Sequence, residues 1–195
     1  MKKSIGILAI AMIAIVSTQA LAKDAAGKLS AIGLLGYYMP ADSAVDDLYG
    51  GGVTFGGGVN YDYSPQISIV GALSYWKDSK TVVVGNPTNT TTDNSLRIMP
   101  ITCNVIYHIP CQSFPCAPYI GGGIGYYSAE SKTNSVSKSK GAVGFQVLGG
   151  CTYPVSPNLS ITALAEYASA KVDFVSGKDT KIGGLTIGGG VVYSF

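Results

Sequence analysis

Few side chains in this chain are equipped for chemistry. There is one histidine, His108, so a serine–histidine–acid relay has a single possible centre and needs His108 beside a nucleophile. His108 follows Tyr107 at the end of an apolar run, where it reads as an interfacial residue rather than a base. The four cysteines, Cys103, Cys111, Cys116 and Cys151, have only His108 to complete a metal site, and their spacing fits no standard zinc pattern. Cys111 and Cys116 bracket Gln-Ser-Phe-Pro, and in an oxidising compartment they are the expected disulfide. Four further residues, Asn60, Asp62, Gln146 and Glu166, occupy the polar parity of otherwise alternating runs. No catalytic set, metal or cofactor is expected from this inventory.

The elements that would position these residues alternate with a period of two. The last eleven residues show it most clearly: Leu185, Ile187, Gly189, Val191, Tyr193 and Phe195 share one parity, while Thr186, Gly188, Gly190, Val192 and Ser194 share the other. An apolar face with aromatics at its end, over about 9–11 residues, fits a transmembrane β-strand. Eight such runs are bounded by turn chemistry: 28–38, 51–63, 67–77, 95–108, 119–128, 140–153, 159–169 and 181–195. In the first run Leu and Tyr fall on both parities, so its faces stay open. The connections alternate in length, with short links at 64–66 and 154–158 and long polar ones near 39–50, 78–94, 129–139 and 170–180.

Composition agrees. Lys2 and Lys3, the apolar run Ile5–Val16 and the small residues Ala20-Leu21-Ala22 describe a cleavable signal peptide over residues 1–22, leaving a single domain over 23–195. With the two lysines removed, the 13 basic residues become 11, against 11 acidic ones. The formal charge of +2 then falls to zero, and nothing points to nucleic acid as a partner. No internal apolar run approaches the roughly 18 residues of a membrane helix. The expected fold is all-β, an eight-stranded antiparallel up-and-down transmembrane barrel. Its long loops would lie outside the cell, with both termini in the periplasm. A lipocalin-like or sandwich fold has the same alternation with its apolar face turned inward; low charge and aromatics near strand ends weigh against it.

Inside such a barrel, Glu166, Asp62, Asn60 and Gln146 would face the lumen as a polar network, with Lys77, Arg97 and Lys171 as cationic candidates near the outer rim. Cys103 and Cys151, two strands apart, would be about 9–10 Å from each other and beyond disulfide reach, so both are expected as lone apolar-face thiols. Eight strands enclose a space that side chains can nearly fill. Inward glycines, notably over 119–125 and 185–190, are where voids are expected.

Several stretches resemble one family. Ala117-Pro-Tyr-Ile-Gly-Gly-Gly-Ile-Gly-Tyr-Tyr127 is similar to a Pro-Tyr-x-Gly-x-Gly-x-Gly strand of small outer-membrane β-barrel proteins, the OmpA-type transmembrane domain and the opacity-type proteins. Residues 97–107 and 159–167 resemble the preceding and penultimate strands of that family. The terminal Tyr193-Ser194-Phe195 resembles the assembly signal read by its barrel-insertion machinery. The motifs imply a fold family and not an activity; the closed-barrel pattern and the absence of a catalytic set imply a monomeric, non-enzymatic outer-membrane protein that contacts membrane lipids and lipopolysaccharide. Its implied role is structural or surface-interactive, rather than that of an open diffusion porin. A narrow channel for small or hydrophobic solutes is the alternative, and a lipid-modifying enzyme a distant third.

Overall fold

The computed structural model describes residues 27–41, 50–84, 90–111, 116–133, 136–175 and 178–195, with backbone alone at the tips of the long hairpins. Ala20 and Ala22 therefore lie outside the described residues, as do most of the loop 39–50 and the tip of 78–94. Ten strands are described: β1 Leu29–Pro40, β2 Gly52–Asp62, β3 Ile67–Val84, β4 Thr90–His108, β5 Ala117–Thr133, β6 Val136–Pro154, β7 Leu159–Ser169, β8 Lys171–Val175, β9 Lys178–Lys181 and β10 Gly184–Ser194. Eight close an antiparallel barrel in the order β1-β10-β7-β6-β5-β4-β3-β2.

Closure follows from the two terminal strands. Ser30 pairs opposite Ser194 and Pro40 opposite Gly184, so β1 and β10 remove each other's free edge. All eight barrel strands expected from the alternation are present. The differences lie at one end. β3 and β4 extend to Val84 and Thr90, and β5 and β6 to Thr133 and Val136, so much of two expected loops is two-stranded ribbon. The expected loop 170–180 contains a separate hairpin, β8–β9, that leaves the barrel between β7 and β10.

The parity of exposure settles which face is which. Leu35, Tyr37, Val53, Phe55, Val105, Ile124, Val143, Phe145, Ile161, Ile187 and Val191 all point outward and are exposed. Residues of the opposite parity, among them Ser30, Ser68, Asn104, Gln146 and Thr162, point inward and are buried. A lipocalin or sandwich would have this pattern reversed. Aromatics ring both margins of the outer face: Tyr61, Tyr63, Tyr107, Tyr153, Tyr193 and Phe195 toward the end carrying the chain termini, and Tyr37, Phe55, Tyr126, Phe145 and Tyr167 toward the hairpin end. Tyr193 and Phe195 meet edge to face, with ring centroids 5.4 Å apart.

The disulfide differs from the expected one. Cys116 is bonded to Cys151, with Cα atoms 6.0 Å apart, while Cys111 and Cys103 are free and exposed. Cys116 stands just before β5, and Pro118 of that strand is opposite Cys151 on β6. The two cysteines are therefore diagonal neighbours on adjacent strands, within ordinary disulfide reach. Cys103 sits on the outward face as expected; Cys151 does not remain a free thiol. Alkylation of the unreduced, unfolded protein followed by peptide mass mapping should label Cys103 and Cys111 only. A linked Cys111–Cys116 peptide would overturn the pairing.

Candidate functional site

The lumen is filled unevenly, and the inward residue types explain why. Toward the hairpin end the inward positions carry large side chains: Tyr38, Trp76, Leu96, Ile98 and Tyr127 form a buried apolar cluster with Ala129, Ala168 and Ala170. Ile182, in the link from β9 to β10, turns into this cluster and is 1% exposed. Its backbone is tied down from both sides. The Tyr38 hydroxyl donates to the Ile182 carbonyl at 2.7 Å, and the Ile182 N–H donates to the Ala170 carbonyl at 3.0 Å. Tyr38 and Trp76 pack edge to face at 5.2 Å. This cluster is a plug.

Toward the termini many of the inward residues are small or short, among them Ser30, Ala72, Thr102, Ser160, Thr162 and Ser194. They leave a cavity of about 500 Å³ that opens at the termini end and runs inward to Glu166. A smaller void of about 70 Å³ continues from Glu166 to the plug. The two share a waist formed by Leu34, Ser74, Pro100, Leu164 and Glu166. Pro100 has no N–H to give, and the β3–β4 ladder is interrupted beside it, between Leu73↔Ile101 and Trp76↔Ile98.

The four expected lumenal residues do not form one network. At the mouth, Asn60 Nδ2 donates to Asp62 Oδ1 at 2.8 Å, and the Ser68 hydroxyl donates to the same oxygen at 2.6 Å. Ser68 Oγ also lies 2.8 Å from His108 Nε2. The Ser68 proton is already given to Asp62, so Nε2–H of His108 is the donor in this contact. His108 thus lines the lumen mouth, not the outer interface expected beside Tyr107. Although Ser68, His108 and Asp62 converge, serine stands between the acid and the imidazole. A nucleophilic relay needs the imidazole in the middle, to accept the serine proton. The arrangement instead clamps β2, β3 and β4 together.

Gln146 belongs to a second cluster deeper in the barrel. Its Nε2 donates to Asn104 Oδ1 at 2.6 Å, and its Oε1 accepts from the Tyr127 hydroxyl. A third cluster joins Tyr119, Thr162 and Thr152. Glu166 joins none of them: among the described residues it has no hydrogen-bond or ion-pair partner. Its expected cationic partners are elsewhere. Lys77 and Arg97 face each other across β3 and β4 on the outward parity, and Arg97 pairs with Glu130 of β5. Lys171 is exposed in β8. Alternation could assign Gln146 and Glu166 to the lumen. Asn104, Ser68, Thr162, Tyr119 and Tyr127 had the same inward signal, yet their partners are fixed only by cross-strand register.

The outward apolar band, the closed edge and the inward polar clusters are those of a barrel built for lipid outside. The family model described as "Outer membrane protein beta-barrel domain" matches residues 8–195. The chain belongs to this family. As an outer-membrane β-barrel protein it resides in the bacterial outer membrane. Among solved structures this barrel is similar to Neisserial surface protein A, at 19% identity with a TM-score of 0.63, covering 89% of this chain and 100% of that one. It is also similar to the outer membrane protein OprG of Pseudomonas aeruginosa, at 16% identity and a TM-score of 0.62, covering 87% and 96%. The N-terminal barrel domain of OprF from the same organism matches at 17% and 0.52, covering 86% and 97%. At such identities the likeness is one of fold. No curated protein sequence matches the chain.

Proposed function

We propose that this outer-membrane barrel is a monomer that does not conduct, with a structural or surface-interaction role. In this reading the long hairpins are displayed outside the cell and the termini lie in the periplasm. One observation carries it: the Tyr38–Trp76–Ile98–Tyr127–Ile182 plug fills the lumen at the hairpin end. The orientation is supported by the contrast between long hairpins at one end and short links at the other. The Tyr193–Phe195 pair closes β10 where the barrel-insertion machinery would read it.

Lipopolysaccharide fits as a contact of the outer face. Two cations, Lys77 and Arg97, are directly opposite each other, an unfavourable placement in a sheet. Glu130 matches one of the two charges, leaving a net positive row beside Tyr75 near the hairpin-end margin. Phosphates on the outer-leaflet lipid would balance it.

In planar bilayers the unaltered protein should give no discrete conductance steps, whereas Trp76→Ala, which removes the largest ring of the plug, should give them. Reproducible steps from the unaltered protein, lost in Glu166→Gln, would overturn the closed reading. They would establish the second one, a narrow conduit, which the continuity of the two cavities at Glu166 favours.

A further inference from the structure

Glu166 is the group that neither the fold nor the plug accounts for. It projects from the middle of β7, opposite Thr186 of β10 and Leu148 of β6, into the floor of the large cavity. A carboxylate so deep in a barrel is costly unless it meets a positive charge or a full set of donors. Among the described residues it meets neither. The cavity above it is about 500 Å³, within the roughly 300–1,000 Å³ of small-molecule sites. Its walls carry Ile32, Leu34, Val70, Leu148, Leu164 and Val192. Its charged lining comprises Lys28 and Asp62 near the rim, with Glu166 at the floor. Low-dielectric walls concentrate the field of such a charge along the lumen axis and draw in cations.

We infer that the cavity is a binding site for a small organic cation with an apolar body, its ammonium group resting on the Glu166 carboxylate and its body against the aliphatic wall. Entry is from the end of the barrel that carries the chain termini, because the plug closes the other. The inference is independent of whether the protein conducts. It needs only the cavity and the carboxylate that lines its inner end.

The test uses the full chain, folded in a non-ionic maltoside detergent, and benzyltrimethylammonium as the probe. Isothermal titration should show saturable one-to-one binding. Glu166→Gln should weaken it by about tenfold or more, through loss of a desolvated charge pair. Ala72→Phe, which projects a ring into the cavity, should abolish it. Benzenesulfonate, of similar size and opposite charge, should not bind. Heat-modifiable gel migration identifies which variants are folded, and either variant alone suffices. Absence of saturable binding to the unaltered protein would overturn the site. Binding lost in Ala72→Phe but unchanged in Glu166→Gln, or equal binding of benzenesulfonate, would overturn the assignment to cations.

Discussion

Valine at Gly190 should abolish barrel assembly: the Gly190→Val protein should migrate on unboiled gels as the unfolded chain, with no compact heat-modifiable band. Gly190 points inward on β10, opposite Leu34 of β1. A Cβ built there would overlap the Gly33 carbonyl oxygen and approach Leu34 Cδ2 to 2.8 Å. The obstructing atom is backbone, so relief requires β1 to move away from β10, and that ladder is the seam that closes the sheet. Overpacking a core costs about 1–3 kcal/mol where side chains can shift, and more where they cannot. Here the strain falls on the pairing that closes the barrel. Gly188 shows the same constraint, since its Cβ would overlap the Leu35 carbonyl oxygen and lie 2.7 Å from Gly36 Cα. Gly71→Val is the matched control. It faces outward with nothing within 4 Å of a new Cβ, and the folded band should persist. A folded Gly190→Val barrel would mean that β1 and β10 are less tightly apposed than they are here.

These glycines also mark what the sequence could not disclose. By periodicity, inward Gly188 and Gly190 read as missing side chains and hence as void. In the structure they are sites of close strand approach, and the main void lies elsewhere, among serines, threonines and alanines near the termini. Period-two alternation depends on the strand alone, so it identified the barrel strands and, outside the first, their apolar faces; low charge and aromatics near the strand ends were needed to turn those faces toward lipid. Register depends on two strands together. It is register that makes Cys116 the partner of Cys151 rather than Cys111, whereas Lys77 and Arg97 are turned away from Glu166 by parity itself, which they share with Tyr75 and Ile101. Where a strand is long, parity also stays silent on where it stops. β3 through β6 run well past the apolar band because polar residues can pair in water as readily as in a loop. The β8–β9 hairpin, with Lys171 opposite Lys181 and Asp173 opposite Asp179, had only the brief alternation of Val172 and Phe174 to reveal it. Yet it delivers Ile182, the residue that completes the plug.

The plug depends in turn on a polar anchor. Gln146→Leu should lower the stability of the folded barrel by about 2–5 kcal/mol, read as a fall in the urea midpoint. The side chain is 1% exposed and makes two hydrogen bonds at once, accepting from Tyr127 and donating to Asn104. Leucine has nearly the same shape but strands a hydroxyl and an amide oxygen in a site sealed from lipid and largely from water. Each orphan costs about 1–3 kcal/mol. Against a total stability of about 5–15 kcal/mol, such a loss is large. The protein supplies its own reporter, since its single tryptophan, Trp76, lies in the same cluster as Tyr127. Fluorescence should therefore follow loosening of the plug directly. Tyr127→Phe removes one of the two orphans that leucine creates, so the double variant should be less destabilised than the sum of the single effects. Strict additivity, or an unchanged midpoint in Gln146→Leu, would show that Gln146 does not hold the ring in place. The closure of the lumen would then rest on apolar packing alone.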